Sequence, residues 1–146
     1  MRGVSQLLSS SVASFGYDYN GNTISKINAS GTTTYAWDYE NRLISAVTPS
    51  GVVTFKYDPF GRRIAKQSAS GNTYFLYDGA NVVADLNAAG GVIAKYAQGA
   101  GIDEPLASSS TTGISFYEAD GLGSVTSLSG FGAVTDTYTY KPFGIT

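Results

Sequence analysis

Residues 51–71 read GVVTFKYDPFGRRIAKQSASG, and the pattern of this stretch recurs along the chain. Apolar and polar side chains alternate from Val52 to Tyr57, which is typical of a β-strand. The segment Asp58-Pro59-Phe60-Gly61 predicts a turn, because Asp accepts backbone N–H bonds, Pro fixes φ and Gly tolerates a positive φ. A second strand then leads to Gly71, so the stretch predicts a β-hairpin.

This hairpin belongs to a repeat with a period of 20 residues. An aromatic residue followed by Asp recurs at that spacing, and a glycine follows each Asp after thirteen residues. Because one short unit cannot bury its own apolar face, we expect successive units to pack side by side. The pairs are Tyr17-Asp18, Trp37-Asp38, Tyr57-Asp58 and Tyr77-Asp78, and the glycines are Gly31, Gly51, Gly71 and Gly91. A further column consists of Ile24, Ile44, Ile64 and Ala84.

The sequence therefore predicts an all-β fold: an antiparallel meander of about 20-residue hairpin repeats that form a continuous twisted or spiralling sheet. We expect a lead-in over residues 1–14 and one repeat domain over residues 15–146. The period loosens after Gly91, and a polar run follows, so residues 99–113 are predicted to be an insertion loop. The inward-facing column is expected to comprise Tyr35, Trp37, Phe55 and Phe75.

Composition excludes several classes of function. The 146 residues contain no cysteine and no histidine, which excludes disulfides, thiolate or imidazole metal sites, and Ser-His-Asp or Cys-His catalysis. A net charge of −2 argues against a nucleic-acid partner, and no apolar window is long enough for membrane insertion as a helix. The carboxylates of Asp103-Glu104, Glu118 and Asp120 are assigned to loops and turns. We therefore expect no enzyme activity, no cofactor and no metal.

Four segments in order carry a family resemblance: residues 57–63, 101–106, 117–125 and 140–144. With them, most of the chain resembles the Rhs/YD-repeat family, and specifically the C-terminal part of an Rhs repeat array. The resemblance implies a long β-sheet that spirals into a hollow shell. In bacterial members this shell encloses a toxic polypeptide, and in animal teneurins a similar shell serves adhesion outside the cell. Lys141 stands where the family's closing element has Asp, so self-cleavage is not carried over.

Two classes of function follow from these features. The first is structural: a wall segment of a secreted or extracellular Rhs-type shell that encloses a toxin polypeptide. Its other partners would be YD-repeat strands of the same parent chain or of identical copies, since open sheet edges favour assembly into oligomers or fibres. The alternative is an extracellular module that binds carbohydrate or a cell surface. Tyr19, Tyr39 and Phe60, at the turn tips, are the candidate binding residues.

Overall fold

The computed structural model of the chain describes residues 8–10, 12–101 and 104–140. This part of the chain forms thirteen β-strands and no helix, and the strands are ordered in the sheet as they are in the sequence. The predicted all-β antiparallel meander is therefore confirmed. The strands are β1 (Ala13–Tyr17), β2 (Thr23–Asn28), β3 (Gly31–Trp37), β4 (Leu43–Thr48), β5 (Gly51–Tyr57), β6 (Arg63–Ser68), β7 (Gly71–Asp78), β8 (Asn81–Leu86), β9 (Val92–Gln98), β10 (Pro105–Ser110), β11 (Gly113–Ala119), β12 (Val125–Gly130) and β13 (Ala133–Thr137).

The chain divides into two compact units, which we call unit 1 (Met1–Thr73) and unit 2 (Tyr74–Thr146). In unit 1 each strand from β1 to β6 pairs antiparallel with the next. In unit 2 the same holds from β7 to β13. The predicted division into a lead-in over residues 1–14 and a domain over residues 15–146 stays a prediction, because the two compact units meet between Thr73 and Tyr74.

The prediction of an insertion loop over residues 99–113 is wrong for its centre. Strand β10 occupies Pro105–Ser110 and pairs with β9 on one side and β11 on the other. Serine has a low intrinsic preference for strands, but here two neighbouring strands supply backbone partners and override that preference. Outside the strand, the N–H of Gly99 donates to the carbonyl of Glu104 at 2.7 Å. Asp103 lies outside the described residues.

A β-bulge follows the first turn of each repeat. The pairing register skips Ile24, Ile44 and Ile64, which are therefore the extra residues of three successive bulges in unit 1. In the β7–β8 hairpin at the start of unit 2 the skipped residue is Val83, whereas the sequence column had placed Ala84 fourth. The error has a local cause: the turn after Asp78 has only two residues, so the register advances by one. Each bulge bends its strand and increases the local twist.

Gly91 is a second departure from the predicted columns. In the short turns, Gly31, Gly51 and Gly71 have φ between +118° and +138° and open the next strand, as the sequence predicts. Gly91 instead ends a longer loop that begins at Asn87, and the positive φ of +80° there belongs to Gly90.

Burial is shallow throughout the described residues. The only buried hydrophobic side chains among them are Ala46, Ala65 and Ala84. The four aromatic residues predicted to point inward are only half-buried, and apolar side chains such as Val52 are 50% exposed. Each unit is thus a sheet whose faces both retain apolar surface accessible to solvent.

Candidate binding surfaces

The longer loops of unit 1 are built around the predicted aspartates. Asp58 Oδ1 accepts the N–H groups of Phe60 and Arg62 at 2.9 Å each, and Arg62 Nε donates to Oδ2 at 2.7 Å. The N–H of Asp58 donates to the Arg62 carbonyl at 2.9 Å, and Gly61 takes a φ of +80°. This is a type I turn followed by a residue in the left-handed region. The carboxylate is therefore a turn residue, as the sequence predicts.

The other two aspartate loops of unit 1 repeat this geometry. Asp38 accepts from the N–H groups of Glu40 and Arg42 at 2.9 Å each, and Arg42 Nε donates to Oδ2 at 2.7 Å. Asp18 accepts from the N–H of Asn22 at 2.8 Å and from Asn22 Nδ2 at 2.9 Å. The loops are therefore held by the same bonds at each repeat, with either an arginine or an asparagine as the side-chain partner.

These bonds lower the pKa of all three aspartates. For Asp18 the largest cause is the hydrogen bond from the Asn22 side chain, which outweighs partial desolvation. For Asp38 and Asp58 partial desolvation raises the pKa, but the side-chain and backbone hydrogen bonds of Arg42 and Arg62 lower it by more. The carboxylates are therefore held ionised as acceptors, which is the opposite of a poised general acid.

The predicted binding residues lie at the tips of these loops. Tyr19, Tyr39 and Phe60 are 110%, 90% and 83% exposed. Their loops connect β1 to β2, β3 to β4 and β5 to β6, so all three lie on the side of unit 1 where the odd-numbered strands end. Successive loops lie two strands apart, which corresponds to about 10 Å. We call this row the aromatic edge. The structure brings the three residues into one row, and their role in binding stays a prediction.

One sheet face of unit 1 carries a second row of rings, which we call the aromatic face. Alternation and register place six residues on it: Phe15, Tyr17, Tyr35, Trp37, Phe55 and Tyr57. Trp37 Nε1 donates to the carbonyl of Thr23 at 2.8 Å, and the Tyr57 hydroxyl donates to that of Leu43 at 2.9 Å. The aromatic residue of each pair thus holds the first residue of the strand before it, Thr23 in β2 or Leu43 in β4. The Asp of the same pair holds the loop that follows.

Unit 2 keeps these devices with different residues. Asn87, in the loop between β8 and β9, takes the role that Asp has in the loops of unit 1 and accepts the N–H groups of Ala89 and Gly91 at 2.9 Å each. Gln98 takes the place of the ring, because its Nε2 donates to the carbonyl of Val82 at 3.1 Å. The Tyr140 hydroxyl donates to Val125 at 2.6 Å. The hydrogen-bonding role therefore survives where the aromatic-Asp pair itself is lost.

Sequence reasoning missed one polar pair in unit 2. The Tyr96 hydroxyl donates to Asp85 Oδ2 at 2.9 Å, while Asp85 Oδ1 is buried without a hydrogen-bond partner. Burial, followed by the hydrogen bond to Asp85, raises the pKa of Tyr96 to about 12. The two residues are eleven positions apart in the sequence, and only the strand register brings them together.

Two further carboxylates of the described chain also have structural contacts. Glu118 Oε1 accepts from Ser129 Oγ at 2.7 Å, and Asp120 accepts the N–H groups of Leu122 and Ser124. Among the described residues, no three His, Cys, Asp or Glu side chains are close enough to hold a metal ion, and no helix is long and apolar enough to cross a membrane. What unit 1 offers for binding is therefore its two rows of aromatic side chains, the aromatic edge and the aromatic face.

Comparison with protein families gives two matches to the RHS repeat, over residues 17–53 and 37–73. No curated protein matches the sequence. Among solved structures, a TcdB2-TccC3-Cdc42 structure has a TM-score of 0.51 at 12% identity and covers 81% of this chain. A Photorhabdus luminescens Tc holotoxin pore has a TM-score of 0.41 at 18% identity and covers 90% of this chain. The chain spans 7% of the first structure's chain and 10% of the second, and the first likeness concerns the fold alone.

Proposed function

We propose that the chain is a structural module, one segment of the wall of a larger β-sheet shell, because residues 17–73 match the RHS repeat. The observation that supports this most is the burial. The described residues bury only three alanines among their hydrophobic side chains, while the rings of the aromatic face remain half-exposed. Such a sheet is stabilised when other elements cover its faces, as in a repeat wall. The proposed role is enclosure without a catalytic step.

We propose further that the wall encloses a polypeptide toxin and acts outside the cell that makes it. The fold likeness to a structure that contains TcdB2 and TccC3 supports a shell, and the resemblance to bacterial Rhs proteins supports a toxin as cargo. The partners would be neighbouring repeat strands along the sheet and the enclosed polypeptide against one of its faces.

Photo-crosslinking from the two faces tests this proposal. A benzophenone amino acid replaces Phe55 on the aromatic face or Val52 on the opposite face, in the protein expressed from its own gene. Both positions lie in β5, three residues apart. We expect crosslinks to one enclosed polypeptide from only one of the two positions. Equal crosslinking from both positions, or none from either, would contradict a wall.

We also propose that the sheet grows by pairing at the β13 edge. All five residues of β13 are exposed. The outer edge of β1 is partly covered, because Ser9 bridges to Ser14 and the Phe15 N–H donates to the Leu8 carbonyl at 2.9 Å. An exposed edge strand readily accepts another strand. Light scattering coupled to size-exclusion chromatography is expected to show oligomers of the isolated chain, and a monomer at every concentration would overturn the proposal.

The aromatic edge supports a second candidate function, binding of an extracellular glycan. Exposed rings at a regular spacing, on loops fixed by hydrogen bonds, form a preorganised row for contacts with a linear polymer. Glycan-array binding that is lost in a Tyr19→Ala/Tyr39→Ala double variant would support it. Leu122→Ala is the matched control, because Leu122 is 93% exposed at the tip of an equivalent loop in unit 2. Failure of the unmodified chain to bind any glycan would exclude this function.

A further inference from the structure

Charge is segregated between the two units of the chain. Residues 1–73 contain seven Lys or Arg and four Asp or Glu, which gives a formal charge of +3. Residues 74–146 contain two Lys or Arg and seven Asp or Glu, which gives −5. The net charge of −2 for the whole chain conceals this difference. Such an asymmetry points to a charged partner for one half of a chain.

Within unit 1 the carboxylates are confined to the loops. Asp18, Asp38, Glu40 and Asp58 are its only acidic residues, and none of them lies in a strand. Three of them bind backbone N–H groups of their own turns, and Glu40 pairs with Arg42 at 2.7 Å. The strand faces of unit 1 therefore carry no negative side chain.

The cations of these strands are concentrated on the aromatic face. Lys26 lies opposite Phe15, Lys66 lies opposite Phe55, and Arg63 lies over the Phe55 ring with its Cζ 5.6 Å from the ring centre. In the described chain neither Lys26 nor Lys66 has a carboxylate within ion-pair distance. Lys56 is the one cation on the opposite face, where it pairs with Ala65.

We propose that the aromatic face of unit 1 binds an acidic polypeptide that also carries apolar side chains. Lys26 and Lys66 would pair with carboxylates, while the half-exposed rings of Tyr35 and Phe55 would cover apolar groups. The two lysines lie on β2 and β6, about 19 Å apart across the strands and offset by four residues along them, which suits carboxylates spaced along an extended chain. The inference rests on the wall proposal and gives the chemistry of the polypeptide that the wall would face.

A polypeptide fits these features better than a nucleic acid. Nucleic acids carry a charge at every phosphate, and their binding depends on releasing many counterions from a dense basic patch. The strands of unit 1 offer three cations on this face, two of them beside Phe55, and the nearby Arg42 over the Tyr57 ring is already paired with Asp38 and Glu40. Sparse cations among aromatic rings instead match mixed acidic and apolar side chains.

The test uses the 146-residue chain and a fluorescein-labelled random copolymer of glutamate and tyrosine as the probe. Fluorescence anisotropy at low salt is expected to show binding that weakens as salt is added. A Lys26→Gln/Lys66→Gln double variant should bind about tenfold more weakly, as expected for the loss of two exposed ion pairs. Lys56→Gln is the matched control, with the same substitution on the opposite face, and should stay within about twofold of the original affinity.

Each outcome decides a different point. No binding of the copolymer, or an equal loss in Lys56→Gln, would overturn the inference. Tighter binding of single-stranded DNA than of the copolymer would assign the face to nucleic acid, and equal binding of a lysine–tyrosine copolymer would assign it to the rings alone. Crosslinking of the Phe55 position to a basic polypeptide would overturn this inference and leave the wall proposal standing. Circular dichroism of each variant establishes that the sheet is retained.

Discussion

At each longer loop, a single side chain provides the acceptor for backbone N–H groups that the turn leaves unpaired. Asp58 accepts hydrogen bonds from two of these N–H groups and from the side chain of Arg62. Asn87 accepts hydrogen bonds from two N–H groups and has no ionic partner. Because Asn keeps the carbonyl oxygen that receives the backbone bonds, it retains most of the loop's geometry. The backbone contacts are therefore the common element, and the ion pair is an addition.

We accordingly predict different effects for two substitutions at the same position. Asp58→Ala removes every side-chain acceptor of the loop and should lower the melting temperature clearly. Asp58→Asn keeps the acceptor for the backbone and should lower it by less than half as much. Thermal unfolding monitored by circular dichroism makes the comparison. Equal losses in the two variants would show that the ion pair with Arg62 is the main contribution.

Stability should also depend on pH in a defined direction. The pKa values of Asp18, Asp38 and Asp58 are lowered in the folded chain, so the folded state binds protons less readily than the unfolded state. Their contribution is complete above the unfolded value of about 3.9 and is lost as pH falls through the folded values. We expect a constant melting temperature between about pH 7 and 5 and a decrease below about pH 4. A flat profile down to pH 2 would contradict this.

The short turns depend on backbone conformation instead of side-chain contacts. Gly51 has a φ of +132°, and a Cβ added there would meet no atom within 4 Å, so any cost of Gly51→Ala comes from the backbone. We predict a loss of about 1–3 kcal/mol in the free energy of unfolding, measured by urea denaturation. Gly121→Ala, also in open space but without a positive φ, should stay within about 0.5 kcal/mol.

At the scale of the element, the sequence predicts hairpins well and their exact register less well. Period and alternation place strands such as β5 correctly, because turn residues and side-chain alternation are local properties. The shift from Ala84 to Val83 in the bulge column follows from one residue missing in a turn, which the spacing of the Asp residues does not reveal. Strand β10 pairs with its neighbours in sequence, β9 and β11, but its run of serines lacks the apolar alternation that marks the other strands, so it gave no local signal.

Burial was the least predictable property of the strands. The rings expected at the interior are half-buried, whereas small residues such as Ala65, at 2% exposure, fill the tightest positions. Next to a bulge, strand bending brings neighbouring backbone close, and a small side chain fits there. Exposure depends on this bending, which the alternation of apolar and polar residues does not encode. The alternation of apolar and polar residues likewise does not reveal the hydrogen bond between Asp85 and Tyr96, which depends on the register of β8 and β9.

The buried alanines give a prediction at this scale. Ala65→Leu in β6 adds a larger side chain at a closed position and should destabilise the chain by about 1–3 kcal/mol. Ala69→Leu, four residues later in an exposed turn, should change stability by less than about 0.5 kcal/mol. Urea denaturation of both variants measures the difference. Equal stability of the two variants would show that the position of Ala65 is not tightly packed.

At the scale of the whole molecule, the sequence predicts a repeat sheet but not the difference between its faces. The aromatic face of unit 1 carries rings and three cations, while the opposite face carries Lys56 and exposed residues such as Val47 and Val52. The proposed wall would place these two faces in different environments, one against the enclosed polypeptide and one against solvent.

The most direct test of this account is the accessibility of the two faces in the protein expressed from its own gene. The chain has no native cysteine, so Lys56→Cys and Lys66→Cys each introduce a single thiol into it, at exposed positions on opposite faces. The measurement is the rate of reaction with a polymer-linked maleimide too large to enter a closed shell. A wall predicts that one thiol reacts in the native protein and the other only after unfolding. Equal rates for both thiols in the native protein would contradict it.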